Sequence, residues 1–354
     1  MKILIIGMGF AGKMYYESLS YLKNNNGNKV TLAYYSNKPE DVNITYYENL
    51  DTSLKDYNPD MVIVAVNDIY HINILQKLKD FEGIILCEKP FVSNSEELNL
   101  ALDFIDTEKQ TIILSTVIRF SLATQKLKHF IESNSLSVNR INFVWKKNRM
   151  NDFRPTVGVI SEIIHPLDTL EWLFKDKIKI VSSIVTNSNF SVKRNKYIPD
   201  SIFLSGELSD GIITGYSSFT SLNVERSIDV VLKDLINQDH YYVKLSYDSP
   251  NWFEDKLHIY KEKNGEQIEI TNFNSLSIKS DYKKKIERLT LMLESIIEDK
   301  QRYFSNHSKN YDVFDIQKLL NTFLDHDWNK GTIDYDFKES DVIQKNTNNF
   351  DRIG

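Results

Sequence analysis

The chain has almost no cysteine. Cys87 stands alone among 354 residues, which excludes an intrachain disulfide and suits a reducing compartment. Long apolar runs are also missing: no segment approaches the ~18 residues that a membrane-spanning helix needs. A strand-like run starts at Lys2, leaving no room for a cleavable leader, so the expected location is cytoplasmic. An excess of positive charge is absent as well. Lys and Arg number 43 against 49 Asp and Glu, a net charge of −6, which gives no footprint for nucleic acid or an anionic membrane. The basic cluster Lys283-Lys284-Lys285 reads as a solvated helix face. No internal repeat or long low-complexity linker is visible.

What is present begins at the N-terminus. Lys2-Ile3-Leu4-Ile5-Ile6 is a short apolar run bounded by glycine, the pattern of a buried parallel strand. Gly7-Met8-Gly9-Phe10-Ala11-Gly12 follows at once as G-x-G-x-x-G, and the sequence is helix-compatible from Gly12 to about Leu22. In strand–turn–helix context the first glycine allows the tight turn, Gly9 lets a pyrophosphate approach the backbone, and Gly12 permits close helix–strand packing. The expected ligand is a dinucleotide on Gly7, Gly9, Phe10, Ala11 and Gly12, with its phosphates at the helix N-terminus.

Apolar runs at 2–6, 30–35, 61–65, 84–88 and 111–116 alternate with helical stretches at 12–22, 71–79 and 95–107. That alternation predicts a doubly wound parallel sheet over 1–120. After a helix at 122–133 the texture changes. Segments at 138–146, 178–185, 202–208, 212–219, 228–232, 241–246 and 257–261 read as strands, with one helix inserted between 157 and 174. They predict an α+β domain over 121–354 with a large open, mostly antiparallel sheet. Helices are expected again at 280–297 and 312–326, the last packing back on the first domain, and an irregular tail after Trp328. A sheet covered on one face invites a partner on the other. Tyr216, Phe219, Ile228 and Val230 are expected on that open face, with Tyr242 and Leu245 as secondary candidates for it.

Two further segments carry chemistry. Cys87-Glu88-Lys89-Pro90 closes the fourth of these strands, where open parallel sheets bind ligands, and Pro90 keeps Lys89 out of the α region. Residues 158–174 have helical periodicity: Ile160, Ile163, Ile164, Leu167, Leu170 and Phe174 form an apolar stripe, while Ser161, Glu162, His165, Asp168 and Thr169 fall on another face. A hydroxyl or carboxylate one turn earlier is expected to orient His165 for proton transfer. No second histidine or cysteine stands at ligand spacing, so no metal is expected.

The glycine motif, Glu88-Lys89-Pro90, Arg119-Phe120 and His165-Pro166-Leu167-Asp168 together resemble the glucose–fructose oxidoreductase/inositol dehydrogenase (Gfo/Idh/MocA) family. The resemblance implies a Rossmann domain joined to a second domain whose sheet makes a homodimer or homotetramer interface. It also implies that Lys89 and His165 flank the nicotinamide and a polar small-molecule substrate, and that Val66-Asn67-Asp68-Ile69-Tyr70-His71 lines the cofactor through Val66, Asn67 and His71, near Glu88. The chain departs from the family where Ser161 stands for the aspartate that many members have four residues before the histidine, where Ile163 stands for their glycine, and at 66–71, which lacks their proline. Either Glu162 substitutes for the aspartate or catalysis rests on Lys89 and His165 alone.

The strand end at 31–35 runs into Ser36-Asn37-Lys38 with no acid before Glu40. Those side chains suit a 2′-phosphate, so NADP is expected ahead of NAD. Arg119 has two readings, a substrate-binding guanidinium (with Asp168 nearby) or a domain-boundary ion pair. The expected activity is hydride transfer between nicotinamide and a secondary alcohol or ketone of a sugar, nucleotide sugar or cyclitol, His165 donating the proton in the reductive direction and Lys89 orienting the oxygen. An NAD-dependent glycosidase, a dinucleotide sensor without turnover and an imine reductase are the alternatives. Specificity is expected from loops at 146–156 and 246–253.

Overall fold

A computed structural model describes residues 1–25, 30–150, 156–191, 197–277, 284–298, 306–325, 330–333 and 335. The first sheet contains β1 (Lys2–Ile6), β2 (Thr31–Tyr35), β3 (Thr45–Tyr47), β4 (Met61–Val64), β5 (Gly83–Cys87) and β6 (Gln110–Leu114). They pair in parallel in the order β3-β2-β1-β4-β5-β6. The crossings include α1 (Phe10–Asn25), a short α2 (Leu50–Thr52), α3 (His71–Lys77) and α4 (Ser95–Phe104). Asn94 caps α4 as its sequence predicts, accepting from Glu97 N at 2.9 Å while Glu97 returns a bond to Ser93 N at 2.8 Å.

Alternation along β1 makes this sheet double-sided. Ile3 and Ile5 join Tyr15, Leu19 and Leu22 of α1 in one core, and Leu4 and Ile6 join Ile72, Leu75 and Leu98 in the other. Because both faces are covered, β1 reads as an uninterrupted apolar run.

Beyond α5 (Leu122–Ser133) lies the second sheet, built of β7 (Leu136–Asn148), β8 (Lys179–Ser188), β9 (Ile198–Glu207), β10 (Ile212–Ser218), β11 (Thr220–Asp234), β12 (His240–Ser246), β13 (Lys256–Lys263) and β14 (Glu266–Asn274). Their order is β14-β13-β12-β11-β7-β10-β9-β8, antiparallel except for β7 with β10. The helix α6 (Ile160–Phe174) lies on β7, and α5 lies on β13. The core beneath them is continuous with the α3–α4 side of the first sheet.

Residues expected on the open face divide by parity. Phe219, Ile228, Val230 and Leu245 are buried under the helices, whereas Tyr216 and Tyr242 lie on the outer set with Ile184, Phe203 and Ile212. The strongly apolar alternate set of a one-sided sheet belongs to its covered face, and that is where these four residues went. Phe203 and Tyr216 stack outside, centroids 4.3 Å apart.

The chain then returns to the first domain. α7 (Glu287–Ile297) places Met292, Leu293 and Ile296 against α1, and β15 (Ser308–Lys309) pairs antiparallel with β6. α8 (Tyr311–Asp325) packs on α4 and α6. The tail expected to be irregular contributes β16 (Lys330–Ile333), parallel to β8. The sequence Asn24-Asn25-Asn26-Gly27-Asn28 suggests a turn, but Asn24 and Asn25 still belong to α1; residues 26–28, the start of the helix expected from 280, residues 151–155 of one expected specificity loop and nearly all the remaining tail lie outside the described residues. No helix among the described residues is long and apolar enough to cross a membrane.

Candidate functional site

Three glycines shape the β1–α1 turn. Gly7 has φ +97°, and a Cβ there would meet Val66 Cγ1 at 2.9 Å. On Gly12 it would lie 2.0 Å from Gly7 O, so helix and turn close on each other. Gly9 differs: nothing lies within 4 Å of its would-be Cβ. Open space therefore sits over the first turn of α1, whose unpaired N–H groups and dipole favour an anion and which carries no acid. The turn, with exposed Phe10 and with Ala11, fits a dinucleotide pyrophosphate.

At the end of β2, Ser36 folds its hydroxyl onto Lys38 O, with Lys38 N returning a bond at 3.3 Å. Asn37 is exposed beside it. The Lys38 side chain is 80% exposed, and its nearest carboxylate is Glu40 at 4.0 Å. Lys13 holds Glu40 more closely, at 2.8 Å, and keeps its carboxyl below the usual range.

Val66 packs over Gly7, and Asn67 accepts from Ile69 N at 3.4 Å to cap the next turn. His71, expected to line the cofactor, is fully buried behind that loop. Its Nδ1 lies 2.8 Å from Pro90 O and its Nε2 3.2 Å from Val66 O, which places the ring between two cleft-side loops. Glu88 is engaged in a similar way: Tyr15 of α1 donates to it at 2.7 Å, and it accepts from Lys89 N at 3.3 Å.

Lys89 crosses to the second domain. Its ammonium donates to Ser161 O at 2.6 Å and lies 3.8 Å from Glu162 Oε2. Glu162 is buried, accepting at Oε1 from Trp145 Nε1 at 3.1 Å and Arg226 Nη2 at 3.0 Å, and at Oε2 from Lys147 Nζ at 2.5 Å. Burial alone would raise its carboxyl, but Lys147, Arg226 and Lys89 together hold it well below the usual range.

His165 sits one turn along α6, partly exposed, its ring 5.9 Å from that of Trp145. The expected orienting bond is not made. Ser161 spends its hydroxyl on Gly158 O at 2.9 Å, Glu162 turns to the strand cations, and His165 Nδ1 is buried with no hydrogen-bond partner among the described residues. Burial and the Lys89 charge push the imidazole well below its ordinary value, which leaves it neutral. Lys147 is pushed down to about 7 by burial, with Arg226 and Lys89 opposing its charge and Glu162 supporting it.

Arg119 takes the ion-pair alternative. It grips Asp168 through two bonds of 2.7 and 2.6 Å, both side chains buried, so neither is free for a substrate in this structure. Sequence reasoning missed Trp145, Lys147 and Arg226. The available signal was parity: Lys147 continues the inward Phe143–Trp145 alternation of β7, and Arg226 precedes inward Ile228 and Val230 on β11.

Residues 1–115 match the family described as "Oxidoreductase family, NAD-binding Rossmann fold". The likeness to the Gfo/Idh/MocA oxidoreductases thus lies in the first 115 residues, the nucleotide-binding part of the chain. Solved structures share the fold across both domains. Gal80p, a transcriptional regulator from Kluyveromyces lactis, is 14% identical with TM-score 0.70, covering 91% of this chain and 88% of its own. KijD10, a 3-ketoreductase from Actinomadura kijaniata in complex with NADP, is 10% identical with TM-score 0.67, covering 95% and 99%. UDP-N-acetylglucosamine 3-dehydrogenase GnnA from Acidithiobacillus ferrooxidans is 14% identical with TM-score 0.66, covering 91% and 96%.

Proposed function

We propose that this protein is an NAD(P)-dependent oxidoreductase acting on a secondary alcohol or ketone of a sugar, nucleotide sugar or cyclitol. The observation that carries this reading is the meeting of Lys89, from the end of a nucleotide-binding sheet, with the helix that bears His165. The nicotinamide, when bound, supplies the hydride acceptor or donor. Neutral His165 takes the hydroxyl proton as the alcohol is oxidised, and Lys89 stabilises the developing alkoxide. In the reverse direction the protonated imidazole donates, and the surroundings that disfavour its charge favour giving that proton up. Glu162 holds the Lys147 ammonium at 2.5 Å and lies 3.8 Å from that of Lys89.

NADP is the preferred nucleotide because Ser36, Asn37 and exposed Lys38 offer donors and charge to a 2′-phosphate, while Glu40 is occupied by Lys13. The outer face of the second sheet, with Phe203 and Tyr216, is covered by a second copy in a cytoplasmic homodimer or homotetramer. The test is a panel of sugars, nucleotide sugars and cyclitols with each oxidised nucleotide, followed by nicotinamide absorbance. Reduction of NADP with one member supports the reading. Tight nucleotide binding with no turnover on any member selects the second reading, a nucleotide-sensing regulator, which the likeness to Gal80p favours.

A further inference from the structure

Around Glu162 the cleft gathers more positive than negative charge. Lys147 and Lys89 approach one oxygen of the carboxylate, at 2.5 and 3.8 Å, and Arg226 takes the other at 3.0 Å. Arg226 also pairs with Asp248, which binds Arg288 at 3.0 Å, and Arg288 continues to Asp255. Among the described residues of this network four cations meet three carboxylates.

The surplus has a location. Glu162 and Arg226 are nearly enclosed, at 2% and 9% exposure, whereas Lys89 and Lys147 retain 20% and 23%. Lys89 and Lys147 are therefore the more exposed side chains of the cluster, beside the helix that bears His165. Holding cations together away from bulk water is costly unless an anion completes the set.

We propose that the substrate carries a carboxylate or phosphate, and that Lys147 binds this group while the reacting carbinol lies between Lys89 and His165. This rests on the oxidoreductase reading and specifies its substrate class. The push that burial and neighbouring cations exert on Lys147, down to about 7, agrees with an unfilled need for negative charge. Lys147 is then a specificity residue, Lys89 and His165 the proton-handling ones.

The experiment is calorimetric binding of D-glucuronate, glucose 6-phosphate and glucose to the full chain saturated with nucleotide. At least one anionic probe should bind roughly tenfold or more tightly than glucose, the scale of one charge-assisted hydrogen bond. Glucuronate leading selects a carboxylate, and glucose 6-phosphate leading selects a phosphate. Lys147→Met should abolish the preference and Lys147→Arg should retain it. If glucose binds as well as both anions, if neither anion binds at millimolar concentration, or if Lys147→Met keeps the preference, the proposal is overturned. The wild-type comparison stands even if Lys147→Met does not fold. Nucleotide affinity, measured first on the same protein, isolates the prior reading: its loss removes the oxidoreductase proposal itself.

Discussion

The ammonium of Lys89 donates to the carbonyl oxygen of Ser161 at 2.6 Å. One end of this bond belongs to the loop after β5 and the other to the first turn of α6, one turn before His165. The bond brings the loop of Lys89 against the helix that bears His165. Tyr15 braces Glu88 from α1, and His71 braces Pro90 from beneath. The loop carrying Lys89 is fixed on both sides.

The Arg119–Asp168 pair is expected to matter for stability more than for substrate. Removing one partner of a buried ion pair leaves a charge uncompensated, at a cost of about 3–5 kcal/mol. Urea denaturation of Arg119→Met should show a loss of that order. Arg119→Met combined with Asp168→Leu should recover most of it. A single mutant as stable as wild type would return Arg119 to the substrate.

Gly9 and Gly12 should respond differently to a side chain. Nothing stands near the Gly9 Cβ position, whereas Gly7 O stands 2.0 Å from that of Gly12. Gly9→Val should fold with a near-native melting temperature and lose nucleotide binding, while Gly12→Val should lose stability. Calorimetry and thermal melting on the same preparations separate the two effects. Undiminished nucleotide affinity in Gly9→Val would remove the pyrophosphate from this turn.

Nucleotide choice tests the ribose end. NADPH should bind more tightly than NADH, and Lys38→Ala should narrow the gap by about 1–2 kcal/mol, the scale of a charge-assisted hydrogen bond. A wild-type preference for NADH reverses the assignment.

The fold was legible largely because its signals are local. A short apolar run and three spaced glycines define β1 and the turn to α1, and period-2 segments announce most of the second sheet. β3 is only three residues, Thr45–Tyr47, too short for any periodicity. β14 is largely exposed, so little apolar alternation marks it. The site was half legible: Lys89, Glu162 and His165 were singled out, but Lys147 and Arg226 were not. Their strands lie far apart in sequence, and nothing local says that β7 and β11 are neighbours whose cations converge on one carboxylate. The open sheet face was misassigned for a related reason, since alternation gives two sets but not which of them the helices cover.

Lys147 predicts a pH dependence with a definite sign. Its ordinary value is 10.5 and its folded value about 7. Between them the unfolded chain holds more protons, so this lysine's contribution to stability is present above 10.5 and lost as pH falls through about 7. Binding of an anionic substrate runs the other way, because only the charged ammonium attracts it. Affinity should be full below about 7 and decline as pH rises through it, with proton uptake on binding near neutrality. In Lys147→Arg the decline should vanish from this range. Titration calorimetry in buffers of differing ionisation enthalpy reads both effects, and a pH-independent affinity would contradict them.

The most direct test of the central claim is turnover of the substrate identified in the panel, measured for wild type, His165→Ala and Lys89→Ala, with nucleotide affinity determined for each. Positioned acid–base catalysis is worth about 10²–10⁴-fold, so each variant should lose kcat on that scale while binding nucleotide as wild type does. Near wild-type turnover in both variants would contradict the assignment and move the chemistry elsewhere in the cleft.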